Sequence, residues 1–78
     1  MRDEIIRIIV DVTDDDTILN DSNIDLIDND ILDSLAFINL ITTLEKIYNI
    51  EIEPTEVPYE TWTTVDNILS LVEVLIKK

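Results

Sequence analysis

Residues 31–41 read ILDSLAFINLI and decide the fold, because here a long acidic stretch turns into a helix. Asp33 is a good N-cap, since its carboxylate can accept a hydrogen bond from a free backbone N–H of the first turn. Apolar residues then recur with helical spacing, which predicts a helix from Ser34 to about Tyr48 or Asn49. The sequence therefore places Ser34 at the start of a helix.

This helix is predicted to bury one face and to present part of the other to partners. Leu35 falls in the middle of the polar arc, one residue after Ser34, and Ile38 lies at the edge of that arc. Exposed apolar side chains beside a candidate reactive residue such as Ser34 indicate a surface on which a partner docks. The inward arc, at 100° per residue, consists of Phe37, Leu40, Ile41, Leu44, Ile47 and Tyr48.

Two other segments show helical spacing. Isoleucines and valines predict a first helix over residues 3–12, which tertiary packing must hold because β-branched residues have only moderate helix propensity. Near the C-terminus, Thr63 or Thr64 is expected to cap a last helix. The apolar stripe of that last helix consists of Val65, Ile68, Leu69, Val72, Leu75 and Ile76.

The connecting segments complete an all-α architecture. Residues 50–53 alternate for too short a run to form a sheet and predict an extended connector, and residues 55–60, interrupted by Pro58 and anchored by Trp62, predict a short helical turn. Residues 13–32 predict a long loop, a feature that is more often functional than accidental. The expected fold is a small bundle of three main helices plus one short helix. The loop's apolar residues, expected to tuck into the core, are Ile18, Leu19, Ile24, Leu26, Ile27 and Ile31.

Length and composition exclude several functional classes. Residues 1–78 are close to the lower limit for a single hydrophobic core, so we expect one domain. The chain has no histidine, cysteine or glycine, which excludes a Ser–His nucleophile pair, a zinc–thiolate site and a phosphate-binding glycine loop. We therefore expect no catalytic residue and no enzyme.

Charge limits the partners. The formal net charge is −13, with only five Lys and Arg residues, which argues against binding to nucleic acid or to an anionic membrane surface. The first residues are too acidic for a targeting peptide and the apolar runs are too short for membrane insertion. We expect a cytoplasmic protein whose partners carry basic patches.

The sequence around Ser34 resembles a known family. The run LDSL at residues 32–35, with the apolar spacing that follows it, resembles the attachment motif of acyl and peptidyl carrier proteins. In that family the serine of Asp-Ser-Leu carries a 4'-phosphopantetheine arm derived from coenzyme A. Residues 63–65, TTV, and Ile68 match fatty-acid-type carriers. Thr55-Glu56, the Trp-x-Thr of residues 62–64 and Asn67-Ile68 resemble the D-alanyl carrier branch, which shuttles D-alanine toward teichoic acids.

The resemblance implies a function and a set of sites. Ser34 would hold the phosphopantetheine, Asp33 would complete the motif, and the arm would carry a small aminoacyl group such as D-alanine as a thioester. The implied partners are a phosphopantetheinyl transferase, an adenylate-forming ligase or acyl synthase, and a downstream acyltransferase. The carrier would act as a monomer and hold no metal. The candidate partner contacts are Leu35, Ile38, Asn39 and Glu45.

Two alternatives remain open. The first is a fatty-acid or polyketide acyl carrier. Fatty-acid carriers are expected to have acidic side chains at the start of this helix. Here those positions hold Ala36, Asn39 and Lys46, and only Glu45 is acidic, which argues against this alternative. The second is an acidic helical module that binds a partner without ever being modified, in which Ser34 would simply be a helix-start serine.

The acidic loop also has part of a calcium-binding pattern. Asp21, Asn23 and Asp25 have the first, third and fifth spacing of an EF-hand loop. Leu26 then stands at the required glycine position and Leu32 at that of the bidentate glutamate. We therefore interpret the segment as a solvated acidic loop.

Overall fold

A computed structural model describes residues 1–77 and contains, within them, four α-helices, two short 3-10 helices and no β-strand. The long helices α1, α3 and α4 pack against one another, which confirms the predicted all-α bundle of three main helices. The α-helices are α1 (Arg2–Thr13), α2 (Thr17–Asn20), α3 (Ser34–Tyr48) and α4 (Val65–Ile76), and the 3-10 helices are Pro54–Glu56 and Tyr59–Trp62.

Left-handed backbone conformations occur at aspartate and asparagine, because the chain has no glycine. Asp14 ends α1 with φ 54° and its N–H donates to the carbonyl of Val10 at 2.8 Å. Asn49 ends α3 with φ 54° and donates in the same way to Glu45. Asp and Asn tolerate this region better than other residues with a side chain. These residues therefore set where α1 and α3 stop.

One apolar core joins the four α-helices and the second 3-10 helix, and no polar side chain among the described residues is buried in it. The three long helices and the loop after α2 all contribute to it, so the loop is part of the core rather than an appendage. The buried side chains are Ile5, Ile8, Ile9, Ile18, Leu26, Ile31, Leu32, Ala36, Leu40, Ile41, Leu44, Ile52, Trp62, Val65, Ile68 and Val72.

The long loop packs as predicted, with one exception. Ile18, Leu26 and Ile31 are buried, and Ile24 is partly buried against the core. Leu19 was expected inside and is 61% exposed. Leu19 lies in helix α2, which the sequence pattern did not predict, and there it points about 100° away from the buried Ile18.

Backbone hydrogen bonds fix the loop to the start of α4. The N–H of Leu26 donates to the carbonyl of Thr63 at 2.7 Å. The N–H groups of Ile31 and Leu32 both donate to the carbonyl of Leu26, each at 2.9 Å. The residues just before α3 are thus attached through Leu26 to the residues just before α4.

The segment between α3 and α4 differs from the prediction in detail. Residues 50–53 form no strand, as expected. The single helical turn predicted over residues 55–60 is instead two 3-10 helices, Pro54–Glu56 and Tyr59–Trp62. Proline has no N–H to donate, so Pro58 prevents one continuous turn. Trp62 is only 3% exposed and anchors the segment as predicted.

Two residues predicted on inward-facing stripes are exposed. Ile47 is 51% exposed at the edge of a surface groove between α1 and α3, and Ile76 is 43% exposed in the last turn of α4. Both lie near helix ends. Helical periodicity gives the direction of a side chain but not where the neighbouring helix stops covering it.

A hydrogen bond between α1 and α3 makes stability depend on alkaline pH. The hydroxyl of Tyr48 donates to the carboxylate of Glu4. Burial, followed by this hydrogen bond and the charge of Glu4, raises the pKa of Tyr48 to about 12 from its ordinary 10.0. The protonated phenol is thus favoured by folding, so its stabilisation is complete below pH 10 and is lost as the pH rises to about 12.

We expect Tyr48→Phe to lower the free energy of unfolding below pH 10 and to remove part of its decrease between pH 10 and about 12. Urea unfolding of both proteins across this range is the measurement. A variant that loses as much stability as wild type over the same interval would contradict a role for Tyr48.

Candidate functional site

Ser34 is the first residue of α3 and its side chain is exposed. The predicted cap is confirmed: Asp33 has an extended backbone, and its Oδ1 accepts a hydrogen bond from the N–H of Ala36 at 2.8 Å. Such a cap stabilises a helix by about 0.5–2 kcal/mol relative to alanine. The cap thereby defines the position at which Ser34 leaves the acidic loop and enters the helix.

An open, mostly apolar pocket of about 220 Å³ lies beside this serine. One wall comes from the loop, the floor from the first turn of α3, and the other wall from the second 3-10 helix. Three separate parts of the chain therefore meet at Ser34. The lining residues are Ile27, Leu32, Asp33, Ser34, Phe37, Tyr59 and Trp62.

Two aromatic rings limit the depth of the pocket. The rings of Phe37 and Trp62 meet edge to face, with centroids 5.0 Å apart and an interplanar angle of 88°. This is a favourable arrangement, worth about 0.5–1.5 kcal/mol beyond the area that the rings bury. The contact joins α3 to the second 3-10 helix beside Ser34.

The site has no arrangement that would activate the serine on its own. A serine hydroxyl is a weak nucleophile without an adjacent base. Among the residues that line the pocket, the one carboxylate is that of Asp33, and its Oδ1 is held by the N–H of Ala36. The free N–H groups and positive dipole end of α3 favour an anionic group attached there. The geometry suits a serine that is modified by another protein.

Three of the four predicted partner contacts lie together on the outer face of α3. Leu35 is 70% exposed, Ile38 is 59% exposed, and Asn39 is also exposed. Ala36, at a position that fatty-acid carriers use for an acidic contact, is buried at 5% and is no part of this surface. It faces inward because it lies on the same arc of α3 as Leu40.

Glu45 is placed apart from that surface. It lies in the last turns of α3, and its Oε2 accepts a hydrogen bond from the N–H of Ile52 at 2.9 Å. The side chain is only partly exposed. This bond attaches the connector after α3 to the helix, a structural role that the sequence pattern did not indicate.

Sequence patterns missed three residues of the pocket. Ile27 was expected only as a core residue, and Tyr59 and Trp62 follow Ser34 by more than twenty positions. Trp62 offered a signal, since a lone tryptophan in a small chain needs a place to bury its ring. No sequence pattern indicated that Tyr59, which is 60% exposed, would line the pocket.

The acidic loop uses its carboxylates for local backbone hydrogen bonds. Oδ1 of Asp25 accepts from the N–H groups of Ile27 and Asp28 at 3.0 and 2.8 Å, and Oδ1 of Asp21 accepts from Asn23 at 3.2 Å. Within residues 1–77, no three acidic side chains converge in a way that could hold a metal ion.

Proteins of similar sequence are carrier proteins. A family model described as "Phosphopantetheine attachment site" matches residues 3–72. A D-alanyl carrier protein of Lactococcus lactis subsp. lactis is 36% identical over 73 residues, which cover 94% of this chain and 92% of the relative. A D-alanyl carrier protein of Listeria monocytogenes is 28% identical, over 95% of this chain and 95% of the relative. One of Abiotrophia defectiva is 27% identical, over 94% of this chain and 92% of the relative.

The chain belongs to the phosphopantetheine attachment site family, so the predicted family is confirmed. Proteins of this family carry a covalently attached 4'-phosphopantetheine and are carriers rather than catalysts. Membership implies a transferase that attaches the arm and a ligase that loads it. No helix within residues 1–77 has the length and apolar character needed to cross a bilayer.

Proposed function

We propose that Ser34 bears the 4'-phosphopantetheine arm and that the arm carries D-alanine. The observation that carries this proposal is the position of Ser34, exposed on the first turn of a helix that Asp33 caps. The relatives described above, which are 27–36% identical, are D-alanyl carrier proteins, which supports D-alanine as the cargo.

The role of Ser34 is that of an acceptor. Its Oγ forms the bond to phosphorus when phosphopantetheine is transferred from coenzyme A, the nucleotide portion leaves, and the hydroxyl proton goes to a base of the transferase. The attached phosphodiester then lies next to the N-terminus of α3, which stabilises an anion by about 0.3–1 kcal/mol at an exposed position. The arm supplies a terminal thiol that holds an acyl group as a thioester.

The aromatic contact below Ser34 supports a small cargo. Phe37 and Trp62 line the pocket and contact each other edge to face, and the pocket has a volume of about 220 Å³. A short aminoacyl group needs no deep apolar cavity, whereas a long acyl chain would have to displace packed rings. The packing therefore favours D-alanine over a fatty acyl chain.

The proposed partners are specific enzymes that visit Ser34 in turn. They are a phosphopantetheinyl transferase, an adenylate-forming ligase that loads D-alanine, and a downstream acyltransferase that removes it. We place the protein in the cytoplasm as a monomer. Leu35, Ile38 and Asn39 would provide the docking contacts, Glu45 would lie at the margin, and the acids of the loop would steer basic partners.

The experiment that tests this function follows the intact mass of the protein. Incubation with coenzyme A and a broad-specificity phosphopantetheinyl transferase should add one phosphopantetheine. Incubation of that product with D-alanine, ATP and a D-alanine-activating ligase should then add one alanyl group that hydroxylamine releases. If no phosphopantetheine is added under conditions that modify a control carrier, the proposed carrier role is wrong. If fatty acids are loaded in preference to D-alanine, the proposal that D-alanine is the cargo is wrong.

Leu35→Asp tests the docking surface. Leu35 is 70% exposed, so the substitution should leave helicity and melting temperature unchanged, yet it places a charge in the apolar contact. We expect kcat/KM for loading to fall about tenfold or more, the scale of one important interface residue. Leu19→Asp is the matched control, since Leu19 is 61% exposed on α2. Equal loading of both variants would remove Leu35 from the interface.

A further inference from the structure

A second apolar groove lies between α4 and the segment that connects α3 to α4. Two adjoining depressions of about 490 and 330 Å³ share Glu56, Val57, Leu71 and Val74 in their linings, so they form one continuous groove along α4. We call it the α4 groove. Its full lining is Glu51, Glu53, Glu56, Val57, Pro58, Thr61, Asn67, Ser70, Leu71, Val74 and Leu75.

Helix α4 has a wider apolar arc than the core covers. Its buried residues follow one stripe, whereas Leu71, Val74 and Leu75 form a second stripe at i, i+3 and i+4 beside it. Val74 is 57% exposed, and Leu71 and Leu75 are partly exposed. A surface helix normally turns polar residues to solvent. The second stripe is therefore a face of α4 that this chain covers only in part.

The rim of the α4 groove is acidic. Glu51, Glu53 and Glu56 are exposed along the edge that faces the second stripe. Within residues 1–77 none of the three forms a salt bridge, since the one ion pair there joins Arg2 to Asp66. An apolar floor with three carboxylates along one edge is complementary to a segment that has apolar side chains on one face and cations beside them.

We infer that the α4 groove, through the floor of Leu71, Val74 and Leu75 and the rim of Glu51, Glu53 and Glu56, binds a Lys- or Arg-rich amphipathic helix of a partner protein. A second copy of this chain is disfavoured, because each copy has a net charge of −13 and would bring the same acidic rim to the contact. An anionic lipid surface is disfavoured for the same reason.

The α4 groove shares no lining residue with the pocket beside Ser34. The 15 residues of α3 place the Glu51 end of the groove roughly 20 Å from Ser34, while Thr61 at its other end belongs to the 3-10 helix that lines the Ser34 pocket. A partner in the α4 groove would leave the exposed face of Leu35 and Ile38 free. The groove would thus hold the protein on one partner while another enzyme acts at Ser34.

The test uses a fluorescein-labelled synthetic helix of about 18 residues, or five turns, with leucines on one face and lysines on the rest. A peptide of the same composition in scrambled order, without an apolar face, is the control. We expect the amphipathic peptide to bind at least about tenfold more tightly by fluorescence anisotropy. Amide shifts of the ¹⁵N-labelled protein should change around Val57, Leu71 and Leu75 and not around Leu35.

Matched variants separate the groove from general charge attraction. Val74→Lys should weaken binding about tenfold, whereas Leu19→Lys, with the same charge change on another exposed apolar residue, should change it less than about twofold. Both variants should still accept phosphopantetheine at the wild-type rate. Replacing the three rim glutamates by glutamine should reduce the salt dependence of binding more than replacing Asp11, Asp16 and Asp28 by asparagine.

Three outcomes would overturn the inference. Equal affinity for the amphipathic and scrambled peptides would show attraction by net charge alone. Shift changes centred on Leu35 and Ile38 would assign the peptide to the surface beside Ser34. A concentration-dependent dimer of the protein alone, dissociated by Val74→Lys in sedimentation experiments, would make a second copy the occupant of the groove.

Discussion

Replacement of Ser34 by alanine is expected to abolish the addition of phosphopantetheine completely. The substitution removes the single oxygen proposed to bond to phosphorus, so the effect should be a loss rather than a reduction in rate. The fold should be unaffected, because Ser34 is exposed, alanine is a good helix former, and the cap is made by Asp33 to the N–H of Ala36. Intact mass after incubation with coenzyme A and the transferase is the measurement.

Ser70→Ala is the matched control for this experiment. Ser70 is also exposed on a helix, and its hydroxyl donates to the carbonyl of Asp66 at 3.1 Å. The control should gain one phosphopantetheine at the wild-type rate. A Ser34→Ala protein that still gains the arm would place the attachment at another hydroxyl. Loss of modification in both variants would show that the assay reports folding instead.

Replacement of Trp62 by alanine is expected to cause the largest loss of stability. The ring is 3% exposed and packs edge to face on Phe37, and removal of a buried tryptophan or phenylalanine costs about 3–5 kcal/mol. The free energy of unfolding of a small domain is only about 5–15 kcal/mol in total. At about 4–8 °C per kcal/mol, the melting temperature should fall by more than about 12 °C. Thermal unfolding followed by circular dichroism is the measurement.

Tyr59→Ala is the comparison for Trp62→Ala. Tyr59 lies in the same 3-10 helix and lines the same pocket but is 60% exposed, so its removal should change stability by no more than about 0.5 kcal/mol. If Trp62→Ala melted like wild type, the ring would not be part of the core. A large effect of Tyr59→Ala would mean that the pocket wall, rather than the core, holds the segment.

Local patterns predicted the long helices and the position of Ser34. The start of α3 follows from Asp33, whose side chain caps the helix within three residues of its own position. The cap of α4 was expected at Thr63 or Thr64 and is Thr64, which accepts from the N–H of Asn67 at 3.3 Å. Both interactions depend on residues adjacent in the chain, so the sequence contains all that is needed to find them.

Features that depend on distant residues were not predictable. The wall of the pocket opposite the loop comes from Tyr59 and Trp62, and which side chains of the second 3-10 helix face Ser34 depends on how that segment packs. Ile47 has the right helical angle for burial but is exposed at the edge of the groove between α1 and α3. Helical spacing gives the direction of a side chain, whereas the packing of the neighbouring helix decides how far that side chain is covered.

The backbone hydrogen bond between Leu26 and Thr63 links the segment that precedes Ser34 to the segment that precedes α4. Since Leu26 also accepts from Ile31 and Leu32, opening of either segment removes support from the other. The two segments therefore support each other's backbone order. The loop that presents Ser34 to a modifying enzyme is thus held in part by the segment that leads into α4.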